Sequence, residues 1–524
     1  MATTPFSQHA PRVDVVTLDP RDNICVAARS LPEGRAIVAG SHQLTTLEPI
    51  RIGHKLALEP IPQGGAVRKY GQIIGFAAAA IQAGQLVHSH NLAIGDFVLD
   101  YAKSTEVPLP PAPILDRTFQ GYRRPSGKAG TRNYVAVIST VNCSASVSRY
   151  VTRRFDEEAL KDFPNIDGVI ALTHNTGCGM EYRGLNHEYL NRVLGGMARH
   201  PNIGAYLLIG LGCEQGAMGY LMESQNLVQI GGGANASRPG GPVVFSIQDL
   251  GGTANTVEAG IRALAELLPA ANDVRRVPIP ASEIILGTEC GGSDGNSGIT
   301  ANPAVGVAAD LIVACGGVSI LAETSEIYGA EHLLTRRAVT PEVADKLLER
   351  IEWWKWYAGI YGGELDNNPS VGNKEGGLTT IAEKSLGAVA KAGSTALVDV
   401  YHYAEPVTAK GLVVMDTPGF DPPSVTGMVA GGANVVLFTT GRGSCFGCKP
   451  TPTIKIASNT PMYERMQDDM DINAGEVLDG RTVQEVGHDI FEKILAVASG
   501  EKTKSEQLGL GDEEFVPWTV GPVL

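Results

Sequence analysis

Gly168-Val169-Ile170-Ala171-Leu172-Thr173 runs without a break into His174-Asn175-Thr176-Gly177-Cys178-Gly179. An apolar run of strand length that empties into a glycine-bracketed loop reads as a buried strand, and in open parallel sheets ligands lie beyond such carboxyl ends. The same figure recurs on both sides. Residues 134–141 run into Asn142-Cys143, 205–211 into Gly212-Cys213-Glu214, and 284–287 into Glu289-Cys290-Gly291-Gly292-Ser293-Asp294. Further strands are read at 243–247, 311–314, 318–321, 396–400, 412–415 and 435–439, and the run 318–321 ends at Glu323 with Glu326 close behind. Between them lie amphipathic stretches such as 340–352, with Val343, Leu347, Leu348 and Ile351 on one face. Strand, glycine loop and helix in alternation predict α/β architecture with mainly parallel sheets.

Working outward, residues 13–100 have a different texture. Short runs such as Ile24-Cys25-Val26-Ala27 and Val67-Arg68-Lys69-Tyr70, punctuated by Pro32-Glu33-Gly34 and Gln63-Gly64-Gly65, predict a small, mostly β module with one or two short helices. Val107-Pro108-Leu109-Pro110-Pro111-Ala112-Pro113 marks residues 101–117 as an extended linker. A second boundary is placed at Pro278-Ile279-Pro280, so that two α/β domains follow, 118–280 and 281–524. The chain has 524 residues, 43% hydrophobic and 19% charged, with 42 Lys plus Arg against 56 Asp plus Glu. A net charge of −14 argues against a nucleic-acid surface or a polybasic membrane patch. No apolar run approaches the roughly 18 residues of a membrane span. The opening MATTPFSQHAPR lacks the apolar core of a secretory signal, and eight dispersed cysteines do not resemble a disulfide framework. The expectation is a cytoplasmic protein, with a homo-oligomer open.

The strand ends carry the reactive side chains. Cys143, Cys178, Cys213 and Cys290 each follow a strand, beside glycine or an acid. A free cysteine is usually a small buried hydrophobe, but four in the same position suggest one crevice. Two constructions stay open: three or four thiolates holding an iron–sulfur cluster, or His174 with acids holding one Fe²⁺ or Mn²⁺. Arg442, inside Thr440-Gly441-Arg442-Gly443-Ser444, is a fork for a carboxylate or phosphate. Asn373 and Lys374, in a polar glycine-rich loop over 368–377, suit an oxyanion. In the β module, His54 and the pair His88 and His90 suggest proton exchange, the pair on one face of a strand. Cys445-Phe446-Gly447-Cys448 lacks the company a redox or zinc motif needs. Gly210-Leu211-Gly212-Cys213-Glu214-Gln215-Gly216 has the wrong spacing for a dinucleotide loop, and the strand expected at 227–230 ends in glycines with no acid for a ribose.

Together these residues resemble the altronate/galactarate dehydratase family. The motifs that carry the likeness are Gly53-His54-Lys55, Lys69-Tyr70-Gly71, His88-Ser89-His90-Asn91, His174 to Cys178, Gly210 to Glu214, Cys290-Gly291-Gly292-Ser293-Asp294, Ser297 to Pro303, Asn368 to Gly377 with Glu383-Lys384, and Thr440 to Gly443. The β module resembles the SAF domain of such enzymes. The resemblance implies a hydro-lyase that converts a small anionic sugar acid to a 2-keto-3-deoxy acid with a divalent metal, typically Fe²⁺. It leans toward the galactarate branch through Pro164-Asn165-Ile166-Asp167-Gly168-Val169 and Arg337-Ala338-Val339-Thr340. On that implication Arg442, Asn373, Lys374, Ser293 and Asn302 contact substrate, His174, Asp294, Glu323 and the strand-end cysteines supply metal contacts, and His54, His88, His90, His174 and Lys374 are candidates for the proton transfers. One departure bears on specificity: after Gly443 the family pattern reads Thr-Pro-Tyr-Gly, where this chain has Ser444-Cys445-Phe446-Gly447. A sulfo-lyase acting on a sulfonated hydroxy acid is the alternative within the family, since the α-proton chemistry is shared. A nicotinamide dehydrogenase and a non-catalytic sugar-acid binder are the alternatives outside it.

Overall fold

A computed structural model describes residues 13–95, 100–216, 218–227 and 242–520. The opening segment 1–12 lies outside these residues, as does all but Leu227 of the strand expected at 227–230. The amino-terminal module is antiparallel. Val15–Val16, Ile24–Ala27, Lys55–Ala57 and Leu86–Val87 form one sheet in that order, and Ala66–Lys69, Gln72–Ala77 and Leu92–Ala93 another. None of its described residues is helical, against expectation, because tight turns with Gly34 and Gly64 at positive φ return each short strand directly onto its neighbour. His88-Ser89-His90 is a turn beyond Leu86–Val87 and not a strand face: the Asn91 side chain accepts from the His88 amide (2.9 Å) and donates to the Leu86 carbonyl (2.8 Å), which closes it.

Two parallel sheets follow. The first has the order Gly168–Leu172, Tyr134–Ser139, Ile203–Gly210, Val243–Ser246. Alternation along its Tyr134–Ser139 strand explains the layering. Val135 and Val137 join the core under helices Ala145–Thr152 and Thr253–Asn272, while Ala136 and Ile138 face helix Leu185–Ala198. The second sheet has seven strands, in the order Leu397–Tyr401, Gly411–Met415, Val318–Leu321, Ile285–Cys290, Val435–Thr440, Thr453–Ala457, Ile472–Asn473, all parallel. The strand expected at 311–314 is instead the last turn of helix Ala301–Ala314. Four apolar residues have no decisive period of their own, and here the small residues before them continue one helix, with Gly306 against the Ala390 carbonyl. The strands Thr453–Ala457 and Ile472–Asn473 were not anticipated. Pro278-Ile279-Pro280 is an edge strand, Val277–Pro280, pairing antiparallel with Thr118–Arg123, a position that tolerates proline.

The linker is not free. Its backbone amides at Ser104, Glu106 and Ile114 donate to the Thr335, Arg336 and Ala314 carbonyls, strapping it along the carboxyl-terminal region. The β module shares a core with that region: Ile24, Val67, Ile74 and Val87 pack in one cluster with Ile299, Leu321, Leu386 and Leu412.

Candidate functional site

Topology singles out a place in the seven-stranded sheet. From Ile285–Cys290 the chain moves to Val318–Leu321 on one side, and from Val435–Thr440 to Thr453–Ala457 on the other. Loops that leave in opposite directions open a crevice beyond the strand ends. Gly292 closes its floor, its carbonyl accepting from the Gly441 (3.1 Å) and Arg442 (2.8 Å) amides. Arg442 lies half-exposed on the rim, 3.1 Å from Glu375.

Beneath the rim is a buried cluster of acids, a thiol and lysines. Ligand atoms of Cys290, Glu323 and Glu326 lie within 4.8 Å of one another, and so do those of Glu289, Glu323 and Asp421. Glu323 adopts a left-handed conformation (φ 62°, ψ 56°), uncommon for a side-chain-bearing residue and costing on the order of 1–3 kcal/mol. Its amide donates to the Thr417 hydroxyl (2.7 Å), which holds the turn that aims the carboxylate inward. Lys391 pairs with Glu323, and Lys384 with Glu326 at 2.7 Å. Burial, together with the Glu326 and Asp421 charges and against the pull of Lys391, lifts Glu323 to about 7. Burial and Glu326 lift Asp421 to about 6, and burial and Glu323 hold Glu289 and the Cys290 thiol well up.

These donors fit a divalent cation. Four carboxylates face two ammonium groups, so two negative charges stay uncompensated when all are ionised. Glu289 Oε1 is buried with no hydrogen-bond partner, whereas Oε2 accepts from Ser424 (2.7 Å). Buried anionic oxygen without a partner is costly, and carboxylates with one thiol suit Fe²⁺ or Mn²⁺.

The β module walls the other side. A cavity of about 400 Å³ is lined by Arg51, His54, His88, His90 and Lys374, with Glu375. The His54 and His88 rings stack at 5.5 Å. His88 Nε2 donates to the Lys374 carbonyl (2.8 Å) and its Nδ1 accepts from Ser89 (3.0 Å), so both nitrogens are engaged. His54 Nδ1 donates to the Ile52 carbonyl (3.3 Å), which leaves Nε2 as a lone pair. Burial first, then the His88 and Lys55 charges, pulls His54 down to about 4, so it is neutral at neutral pH. Glycines make this approach possible: a Cβ on Gly377 would fall 2.4 Å from the Gly53 carbonyl oxygen, and one on Gly295 closer still. Glu383 clamps the two regions, accepting from Lys55 (2.8 Å), Lys69 (2.9 Å) and Thr379 (2.7 Å).

The loop 368–377 joins these parts. Asn368 donates to Glu326 (2.8 Å) and accepts from Lys384 (2.9 Å), while farther along the Lys374 carbonyl takes the His88 proton. Asn373 caps the short helix Val371–Glu375 and donates to the Ser293 carbonyl (2.8 Å). The Ser293 hydroxyl is buried without a partner. Asn302 is fully used, donating to Gly387 and accepting from Thr439. Asp294 accepts from Ser297, Asn296, Ser458 and Asn459, so its oxygens knit the loop together. The four strand-end cysteines stand on two sheets: Cys290 is buried in the acid cluster, whereas Cys143, Cys178 and Cys213 are exposed beyond the four-stranded sheet. His174 is with those three, its ring buried between the Ser139 carbonyl (3.0 Å) and the Thr176 amide (3.3 Å) and pulled down to about 4 by burial. The glycine loop at 210–216 is filled by its own Glu214, which accepts from Thr140 (2.8 Å) and the Gly212 amide (2.7 Å) where a phosphate would need room. Sequence reasoning passed over Glu289, Asp421, Lys384 and Lys391 as site residues. Asp421 follows the Gly411–Met415 strand, so the strand-end rule, applied there too, would have found it.

Comparison with known proteins shows the family. Residues 13–95 match the altronate/galactarate dehydratase SAF domain, 121–272 the second domain of D-galactarate dehydratase/altronate hydrolase, and 281–523 the D-galactarate/altronate dehydratase carboxyl-terminal domain. The chain is 36% identical to altronate dehydratase of Bacillus subtilis (strain 168) over 495 residues, 94% of this chain and 96% of that one. It is 37% identical to galactarate dehydratase (L-threo-forming) of Escherichia coli (strain K12) over 522 residues, 98% of each. It is also 32% identical to the (2R)-sulfolactate sulfo-lyase subunit beta of Chromohalobacter salexigens over 407 residues, 77% of this chain and 97% of that one. Near-equal identities give no preference between the altronate and galactarate branches, so the lean toward galactarate gains nothing from them. The chain belongs to the altronate/galactarate dehydratase family and is a hydro-lyase of that family.

Proposed function

We propose that the protein dehydrates a sugar acid, an aldarate such as galactarate or an aldonate such as altronate, to its 2-keto-3-deoxy acid. The observation that carries this is a buried carboxylate–thiol–lysine cluster at the crevice of the seven-stranded sheet, with Arg442 on the rim and the Arg51, His54, His88, His90 and Lys374 cavity beside it. In a −14 protein these local cations give an anion somewhere to bind. Arg442 and Lys374 hold the substrate carboxylate, with Asn373 and Ser293 shaping the loop beneath.

The hard step is removal of the proton α to a carboxylate. His54 is suited to it, because it lines the cavity and, with Nδ1 donating to the Ile52 carbonyl, keeps Nε2 unprotonated, and a bound carboxylate raises its basicity from the depressed resting value. The C2 proton moves to this base, the C3 hydroxyl departs with a proton as water, and the resulting enol becomes the 2-keto acid. His90 and Lys374 stand on the same cavity and can supply the proton to the leaving hydroxyl. A divalent cation held by Cys290, Glu323 and Glu326, with Glu289 and Asp421 beside them, would stabilise the charge that develops on the enolate oxygens. Fe²⁺ fits this donor set best, and Mn²⁺ second.

The test is 2-keto-acid formation from galactarate, glucarate, altronate and several pentonates, with protein purified anaerobically and supplied with Fe²⁺. Turnover of one acid identifies the substrate; silence across the panel with metal bound removes the sugar-acid reading. A second reading, release of sulfite from a sulfonated hydroxy acid, is favoured by the sulfo-lyase relative and by the Ser444-Cys445-Phe446-Gly447 departure. Sulfite release from (2R)-sulfolactate would establish it.

A further inference from the structure

The four-stranded sheet has a crevice of its own. From Tyr134–Ser139 the chain moves to Gly168–Leu172 on one side, and from Ile203–Gly210 to Val243–Ser246 on the other. Beyond these three adjacent strand ends stand Cys143, Cys178 and Cys213. Ser139 pairs with Ile209, and each is followed four residues later by a cysteine; Ile138 pairs with Leu172, which precedes Cys178 by six. The three cysteines therefore follow the ends of three adjacent strands spaced about 4.8 Å apart, with Cys143 after the middle one.

Hydrogen bonds draw their loops together. The Asn142 amide donates to the Thr176 carbonyl (2.8 Å), and Thr140 donates to Glu214 (2.8 Å). A Cβ on Gly177 would lie 2.7 Å from the Thr140 carbonyl oxygen, so only glycine lets this loop come so close. All three thiols are free and exposed, whereas Cys25, Cys290, Cys315 and Cys448 are buried. Hydrophobic packing, the usual reason for an unpaired cysteine, does not explain them.

We propose that Cys143, Cys178 and Cys213 hold a four-iron, four-sulfide cluster in which one iron has no protein thiolate. A structural zinc site needs a fourth protein ligand. Among the described residues, Glu214 is engaged by Thr140 and Gly212, His174 by Ser139 and Thr176, and the Gln248 amide donates to the Cys213 sulfur (3.5 Å). Asn142 and His174, neighbours of Cys143 and Cys178 in their loops, also line a cavity of about 310 Å³, whose Arg149 pairs with Glu513. The assignment rests on the thiols and is independent of the dehydration reading.

The test is anaerobic reconstitution of the full chain with iron and sulfide, followed by metal and sulfide analysis. About four iron and four sulfide per chain are expected, lost in each of Cys143→Ser, Cys178→Ser and Cys213→Ser and kept in Cys445→Ser. One-electron oxidation by ferricyanide should release the unligated iron as Fe²⁺ and leave the paramagnetic signal of a three-iron cluster. The unsubstituted protein gives an independent readout: alkylation should spare these three thiols until a chelator strips the iron. Iron bound without sulfide, zinc alone, or equal alkylation before and after chelation overturns the proposal, whatever the enzyme turns over.

Discussion

Glu383 is the place to ask what fastens the β module to the catalytic crevice. Its carboxylate is fully buried and receives Lys55 at 2.8 Å, Lys69 at 2.9 Å, and the Thr379 hydroxyl and amide at 2.7 and 3.0 Å. Burial alone would raise its pKa, but the two ammonium groups overcome that and hold it far below the ordinary 4.5. Glu383→Gln keeps the shape and removes the charge. Lys55 retains the Gly377 carbonyl at 2.6 Å and Lys69 the neighbouring Tyr70 ring at 4.9 Å, but both ammonium groups lose the charge that balances them. Breaking a buried pair by neutralising one partner costs about 3–5 kcal/mol, because uncompensated charge stays buried. At about 1.4 kcal/mol per tenfold, undocking of the module becomes some hundredfold to several-thousandfold more favourable. The half-exposed pair Lys346–Asp399 is the control, worth less than about 1 kcal/mol. Hydrogen exchange over residues 55–77, with protease sensitivity of the 101–117 strap, reads undocking directly. Because the folded-state pKa is lowered, the contribution of Glu383 is fully present above 4.5 and fades only as pH falls below that value, so docking should survive mild acid. Glu383→Gln protein that matches the parent in exchange over 55–77 and in thermal midpoint would refute the clamp.

Three further outcomes are expected. His54→Ala should lower kcat by about 10²–10⁴-fold with little change in KM. In the parent the His54 pKa lies at about 4 against an ordinary 6.5, so the folded chain binds fewer protons than the unfolded one between those values and this residue's share of stability rises with pH across that window. Between pH 7 and 4 the parent's thermal midpoint should therefore fall further than that of His54→Ala, and an acid limb of free-enzyme kcat/KM at 6.5 would count against His54 as base. Glu326→Gln, which removes the carboxylate charge that faces Lys384 and the metal-binding group, should weaken Mn²⁺ binding at least about tenfold by titration calorimetry. Arg442→Ala should raise KM about 10- to 100-fold through loss of a charge-assisted bond while kcat changes little; an unchanged KM removes Arg442 from the site.

The carboxyl-edge rule was legible because it is local: an apolar run followed by glycine and a reactive side chain is written in about ten consecutive residues. Strands, parallel sheets and the reactive positions at 143, 178, 213 and 290 came from that signal. The short module helices, the 311–314 strand and the histidine pair on one strand face did not survive, since each rested on a few residues whose state is set by neighbours far away. The seam at Gly53, Gly295 and Gly377 shows the limit. Each glycine reads as an ordinary turn residue, yet the Cβ each lacks would crowd backbone more than 240 residues distant, and no local pattern encodes that contact.

The cysteines make the same point with chemical consequences. Gly177-Cys178-Gly179, Gly212-Cys213-Glu214 and Glu289-Cys290-Gly291 are near-equivalent in sequence, and reading them as one ligand set followed naturally. Sheet position separates them. Ile285–Cys290 lies between Val318–Leu321 and Val435–Thr440 inside seven strands, so Cys290 is covered and meets Glu323 and Glu326. The other three end strands of a four-stranded sheet and reach solvent together. One crevice thus offers mostly hard oxygen donors with a single thiol, and the other three exposed thiols, with Gln248 donating to Cys213. By donor softness the first set fits a divalent cation, and the second is the ground on which the sulfide-bridged cluster is proposed. A chain that repeats the same strand-end device in two sheets can in this way build two different donor sets, and what distinguishes them is which side chains the neighbouring strand ends bring to each cysteine: Glu323 and Glu326 meet Cys290, whereas Cys143, Cys178 and Cys213 stand exposed.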